Sequence, residues 1–187
     1  MTARERIVDA AASVLRTHGL AHATTKSIAL EAGYSEAMLY KHFADKRELQ
    51  LAVLRERPGS IDDPGDLVGR ADVDDNLIDI VRQLMRHYVS TFPVTASVFA
   101  SPALLAAWRD GTLEKGRGPR APVRLVERYL ESEIELGRIA RPTDAAALAA
   151  LITGAAFQNA FFACFDGLGA VPDEAALAAR LIAALPL

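Results

Sequence analysis

The stretch from residue 77 to 88 constrains the fold more than any other. Its apolar residues, Leu77, Ile80, Val81, Leu84, Met85 and Tyr88, recur at i, i+3, i+4, i+7, i+8 and i+11. That spacing lines one face of an α-helix. A half-buried strand alternates every second residue instead, and no segment sustains such alternation with β-branched enrichment. The expected fold class is all-α. The 187 residues suit one medium domain, or a small one joined to a medium one, and either arrangement can bury a core.

Local stop and start signals divide the chain into helices. Thr2-Ala3-Arg4-Glu5 is a capping box, followed by Ile7, Ala11, Val14 and Leu15 on one face, and His18-Gly19 is expected to end this helix. A second helix starts at Thr24-Thr25, buries Ile28, Ala29 and Ala32, and breaks at Gly33. Ser35 caps a third that carries Leu39 and Phe43. Asp45-Lys46-Arg47-Glu48 forms a further capping box and opens a fourth, with Leu49, Ala52 and Val53 inward. Turn formers and acids then crowd residues 57–65, which places a domain boundary there: 1–57, then 58–187. Residues 66–75 are expected to be mobile. The helix around 77–88 is expected to stop at Phe92-Pro93. Ser101-Pro102 opens a helix with Leu104, Leu105 and Trp108, closed by Asp110-Gly111, and residues 116–119 form a loop. Further helices are expected over 121–136, ending at Gly137, over 143–166 and over 172–185.

The net charge of −3 is unusual for a nucleic-acid binder, but its distribution is uneven. Residues 1–57 carry nine Lys/Arg against seven Asp/Glu, whereas the remainder carries twelve against seventeen. A weakly basic head on an acidic body permits phosphate contact at one end. The single cysteine, Cys164, allows no internal disulfide and fits the reducing cytosol. No apolar signal-peptide core follows Met1-Thr2-Ala3-Arg4-Glu5-Arg6. Residues 145–165 come nearest to the roughly 18 apolar residues of a membrane span. They are rich in Ala and include Thr153, Gln158 and Asn159, so a buried helix is the expectation, with a cytoplasmic protein and no membrane partner.

The most informative stretch is TTKSIALEAGYSEAMLYKHFADKREL, residues 24–49. Two short helices meet at Ala32-Gly33-Tyr34-Ser35, where Gly33 supplies the positive φ of a tight turn. Ile28, Ala29 and Leu39 pack them together, and Ala32 and Ala37 allow close approach. In such a unit the second helix enters the major groove while the first crosses the backbone. Thr25, Lys26, Ser35, Tyr40, Lys41, His42 and Lys46 are hydroxyl, ammonium and imidazole donors, the side-chain types that meet phosphates.

This stretch closely resembles the DNA-binding segment of the tetracycline-repressor (TetR) family. The resemblance rests on Thr24-Thr25, Ile28-Ala29, Ala32-Gly33-Tyr34-Ser35, Leu39-Tyr40-Lys41-His42-Phe43, Asp45-Lys46 and Leu49. It covers about the first third of the chain. Ala37 stands where many relatives have Gly, and Tyr34 replaces a commoner small aliphatic residue. The resemblance implies an N-terminal three-helix helix-turn-helix domain and a C-terminal helical ligand-binding and dimerisation domain. It implies that Thr25, Tyr40, His42 and Lys46 clamp phosphates, and that Lys26, Glu36, Ala37, Met38 and Lys41 lie near base edges, with Ser35 at the turn. Glu36 would accept from a cytosine amino group, and Ala37 or Met38 would touch a thymine methyl.

For the body the resemblance implies a homodimer formed by the last two helices, binding an inverted-repeat operator in double-stranded DNA as a repressor. A small, largely apolar effector would release it. Candidate effector contacts are Trp108, Phe157, Phe161, Asn159, Tyr88 and Met85, an aromatic and sulfur-rich set with one amide for orientation. An activator, or a body serving only protein association, is the alternative. No enzyme, metal site or cofactor is expected: the four histidines His18, His22, His42 and His87 are read as holding no helical HxxxH pair. Cys164 sits in an apolar run, and no phosphate loop or nucleophile elbow is present.

Overall fold

A computed structural model describes residues 1–56, 61–113, 118–140 and 142–185, with side chains left undescribed at 18–22 and 113. Among these residues the chain is all-helical: α1 (Ala3–His22), α2 (Thr25–Ala32), α3 (Glu36–His42), α4 (Lys46–Glu56), α5 (Val73–Phe99), α6 (Pro102–Leu113), α7 (Ala121–Glu135), α8 (Ala145–Phe165) and α9 (Glu174–Ala183), plus a 3₁₀ turn at Pro64–Leu67. They form two compact units. The first comprises Met1–Ser60 and Ser90–Lys115, the second Ile61–Val89 and Gly116–Leu187. The division differs from a single cut after residue 57, because packing draws residues 90–115 to the first unit. Val94 joins the core of α1 to α4, and Val98, Leu104 and Trp108 close over Leu51. Residues 57–60 of the expected linker and 116–117 of the expected loop lie outside the described residues.

In the first unit, Ile7, Leu15, Ile28, Leu39, Phe43 and Leu49 are fully buried together. Arg4 fastens the outside of this core. Its guanidinium donates to both carboxylate oxygens of Glu56 at 2.6 Å and lies 5.1 Å from the centroid of the Phe43 ring. The Thr2–Glu5 capping box forms as expected, with the Thr2 amide donating to Glu5 at 2.7 Å and the Glu5 amide to the Thr2 hydroxyl at 3.2 Å. However, α1 does not stop at Gly19 but continues to His22. The fully buried Ala23 then turns the chain into the next cap, and a glycine inside a helix costs only about 1 kcal/mol. The continuation corrects the histidine reading too: His18 and His22 stand four residues apart on one helix.

The second unit packs α7, α8, α9 and residues 73–89 around Leu77, Ile80, Leu84, Met85, Val126, Tyr129, Ile152 and Ile182. Residues 66–75, expected to be mobile, are instead tied down. The Gly69 amide donates to the buried Glu133 carboxylate at 3.1 Å, which also faces Arg138 at 3.3 Å. Asn76 Nδ2 donates to Arg70 O at 2.8 Å and to the Tyr129 hydroxyl at 3.0 Å. Arg138 also donates to the carbonyl of Ala71, a non-glycine residue at φ 45°.

Four other helix ends depart from expectation. Pro93 lies inside α5 rather than ending it. Proline has no amide to offer the Val89 carbonyl; the Cys164 thiol donates to that oxygen instead, at 3.8 Å, while buried Val94 and Val98 hold the next turns. α6 passes Gly111 to Leu113, its buried Thr112 bonding back to Trp108 O at 2.9 Å. α8 is capped by Asp144, which accepts from the Ala147 amide at 3.0 Å, and not by Thr143. α9 begins at Glu174, after Asp173 in the left-handed region, not at Pro172.

α8 is, among the described residues, long and apolar enough to cross a membrane by length and composition. Here one stripe of it, Leu148, Ala149, Ile152, Ala156, Ala160 and Ala163, is buried in the unit's core.

Burial raises the Tyr88 and Tyr129 phenols to about 12, against about 10 in an unfolded chain. The unfolded state loses these protons first, so the stability they confer is complete below pH ~10 and declines as pH rises toward ~12. The urea midpoint is expected to fall across that window, and Tyr88→Phe to make the fall shallower.

Candidate nucleic-acid interface

The face of interest belongs wholly to the first unit and is built by three consecutive caps. Thr24 accepts from the Ser27 amide at 3.0 Å while Ser27 Oγ accepts from the Thr24 amide at 3.0 Å, a reciprocal box that starts α2. Gly33 ends α2 at φ 73°, where its amide and that of Tyr34 bond back to Leu30 and Ala29 carbonyls. Ser35 then caps α3 by accepting from the Met38 amide at 3.3 Å. The third cap differs in detail from the expected box. Asp45 accepts from the Glu48 amide at 2.7 Å, but the Glu48 carboxylate reaches the Ala44 amide, at 2.6 Å, rather than that of Asp45.

These caps leave α3 only seven residues long, too short to be stable alone. Packing holds it: Leu39 is 0% exposed and Phe43, its C-cap, 1%. Residues four apart share a helix face, so with Leu39 and Phe43 inward the remaining positions turn outward. Glu36, Ala37, Tyr40 and Lys41 are exposed, and Met38 and His42 half-buried. Tyr40 shows half its surface, 51%, to solvent. Lys26 is exposed beside half-buried Thr25 at the start of α2, Ser35 is exposed at the cap, and Lys46 is half-buried at the start of α4.

Two features were not legible in the sequence. The Arg6 guanidinium lies 5.1 Å from the Tyr34 ring centroid and donates to the Ala32 carbonyl at 3.4 Å. That contact gives the unusual Tyr34 a partner and braces the turn from α1. The Thr25 hydroxyl donates to Glu36 Oε2 at 2.7 Å, linking the first turns of α2 and α3.

The six candidate effector contacts are divided between the two units. Trp108 belongs to the first unit, in the cluster with Leu51, Val98 and Leu104. Met85 is fully buried in the core of the second. Tyr88 meets Phe157 edge-on at 5.3 Å, while Phe157 and Phe161 are exposed on α8 at 44% and 39%. Asn159 donates to its own helix, at Ala155 O and 2.8 Å. Aromatic spacing on α8 showed that the helix has several apolar sides but not which side meets solvent. A shallow depression in the second unit, lined by Arg82, Arg86, Val171 and Glu174 among others, includes none of the six.

A glycine at φ 73° tolerates a Cβ poorly. Gly33→Ala is expected to destabilise the protein by about 1–2 kcal/mol in urea unfolding, and to weaken DNA binding beyond that loss if the turn shifts α3.

Residues 7–53 match the family described as bacterial regulatory proteins, tetR family. The chain is 29% identical over 184 residues to the HTH-type transcriptional regulator BetI of Agrobacterium fabrum, covering 90% of this chain and 82% of that protein. Its fold is similar to that of a TetR-family regulator from Mesorhizobium loti, with TM-score 0.77, 18% identity and coverage of 97% and 94% of the two chains. It is similar as well to FadR from Bacillus subtilis, solved in complex with stearoyl-CoA, with TM-score 0.70, 17% identity and 97% of each chain covered. With an outward-facing short helix seated in a capped helix-turn-helix and this match over it, residues 7–53 form a DNA-binding segment of the tetR type, and the chain as a whole is similar to TetR-family transcriptional regulators.

Proposed function

We propose that the protein binds an inverted-repeat operator as a homodimer, represses transcription there, and is released by a small, largely apolar effector. The observation that carries the DNA half is the outward face of α3, exposed at Glu36, Ala37, Tyr40 and Lys41 while Leu39 and Phe43 are sealed inside. In this reading Tyr40, His42 and Lys46 hold phosphates and set register. Lys26, Glu36, Ala37, Met38 and Lys41 meet base edges. Operator DNA places the working protein in the bacterial cytoplasm.

The dimer half rests on α8. Its second stripe, Leu151, Phe157, Phe161, Phe162 and Phe165, is 39% to 80% exposed, and residues 145–165 contain no charge. With Gly154, which has open space beside its Cα, Leu151, Phe157, Phe161 and Phe165 recur at spacings of three and four, as along a helix–helix seam, and Phe162 flanks it. Apolar area of this kind calls for a covering partner, and a second copy brings a second reading head. The apolar effector follows from the aromatic content of the second unit and from the B. subtilis relative's complex with stearoyl-CoA. Release requires only that the effector bind the DNA-incompetent arrangement more tightly.

Selection from a random duplex pool is expected to return an inverted repeat, with affinity falling steeply as salt rises. Lys46→Ala should weaken binding to all sequences alike and reduce the salt slope by about one; a changed base preference would contradict its phosphate role. Phe165→Glu, at the most exposed aromatic of α8, should shift sedimentation from dimer toward monomer, whereas an unchanged dimer would move the interface elsewhere.

A further inference from the structure

The bond from Thr25 to Glu36 bears on how the operator is read. A threonine hydroxyl has one hydrogen to give, and here it is given to Glu36 Oε2 at 2.7 Å. Phosphate oxygens at neutral pH only accept, so a Thr25 so engaged offers a phosphate nothing but lone pairs. Glu36 is the first residue of α3, directly after the Ser35 cap, where the helix dipole favours its charge. A flexible glutamate on an exposed helix start loses rotamer freedom when it makes a contact. One oxygen pinned to a half-buried hydroxyl removes part of that loss in advance and leaves Oε1 available as an acceptor.

We propose that Thr25 is a positioning residue for Glu36 rather than a phosphate clamp, and that the pair selects cytosine at one position of each half-site. This deepens the operator reading above and rests on it. A carboxylate only accepts. Guanine and thymine present acceptor atoms in the major groove and repel it. Adenine offers its amino group next to the N7 acceptor, whereas cytosine offers the amino group with no acceptor of its own beside it. The resulting discrimination is of the order of tenfold for one well-placed contact.

The test compares wild type with Thr25→Val, Thr25→Ser and Glu36→Gln, using random-pool selection and the affinity for the selected duplex and for an unrelated one. Wild type is expected to enrich cytosine at one position per half-site. Glu36→Gln, now both donor and acceptor, shifts that position alone toward adenine. Thr25→Val is isosteric but lacks the hydroxyl; it broadens preference at the same position roughly tenfold and leaves affinity for an unrelated duplex unchanged. Thr25→Ser restores the preference. Should Thr25→Val weaken binding to the selected and the unrelated duplex alike, with base preference intact, Thr25 holds a phosphate and the proposal is overturned. A Glu36→Gln pool identical to wild type overturns it as well. A wild-type pool with no enriched sequence overturns the operator reading itself, and this inference falls with it.

Discussion

The burial of Leu39 and Phe43 in the core of the first unit is the contact on which the functional account depends. A helix as short as α3 has no independent stability, so these two side chains fix both its existence and its rotation. Each full apolar burial is worth about 2 kcal/mol, a large share of the marginal stability of a small domain. Their receptors are supplied by Ile7, Leu15, Ile28 and Leu49 from three other helices. Once the inner face is committed, helical geometry turns Glu36, Ala37, Tyr40 and Lys41 to the outside.

Capping chemistry converts that rotation into a defined entry angle. Thr24 with Ser27, Ser35 with Met38, and Asp45 with Glu48 each satisfy amides that short helices leave open. The same side-chain types that end and start helices also meet phosphates, so hydroxyls cluster here for two reasons at once. Thr25 shows the consequence: its hydroxyl is already engaged, by Glu36, and a contact assigned from residue type alone overlooks the competition. Arg6 on Tyr34 and Arg4 on Phe43 hold the reading unit against α1 at opposite ends of α3.

The reading head was largely legible in the sequence because its signals are local. Cap residues, Gly33 and the Leu39–Phe43 spacing act within a few residues of where they stand. The body was less legible because its determinants are distant. Pro93 reads as a stop, yet α5 continues, with a thiol 71 residues further along the chain meeting the carbonyl that proline leaves open. Residues 66–75 read as mobile, yet Glu133 and Asn76 hold them. By residue type Trp108 reads as one of a set with the α8 aromatics, whereas it packs with Leu51 and Val98 in the first unit. On α8 itself the sequence shows apolar residues all round, and only packing separates the buried stripe from the exposed one.

The central claim is that α3 meets DNA with its outer face. Amide chemical-shift mapping on nitrogen-15-labelled protein, titrated with a selected duplex at low salt, tests it most directly. The account predicts the largest changes at residues 24–26, 35–42 and 46, with the buried amides of α7 and α8 little moved. Changes concentrated in α7, α8 or α9, with residues 35–42 silent, would contradict it.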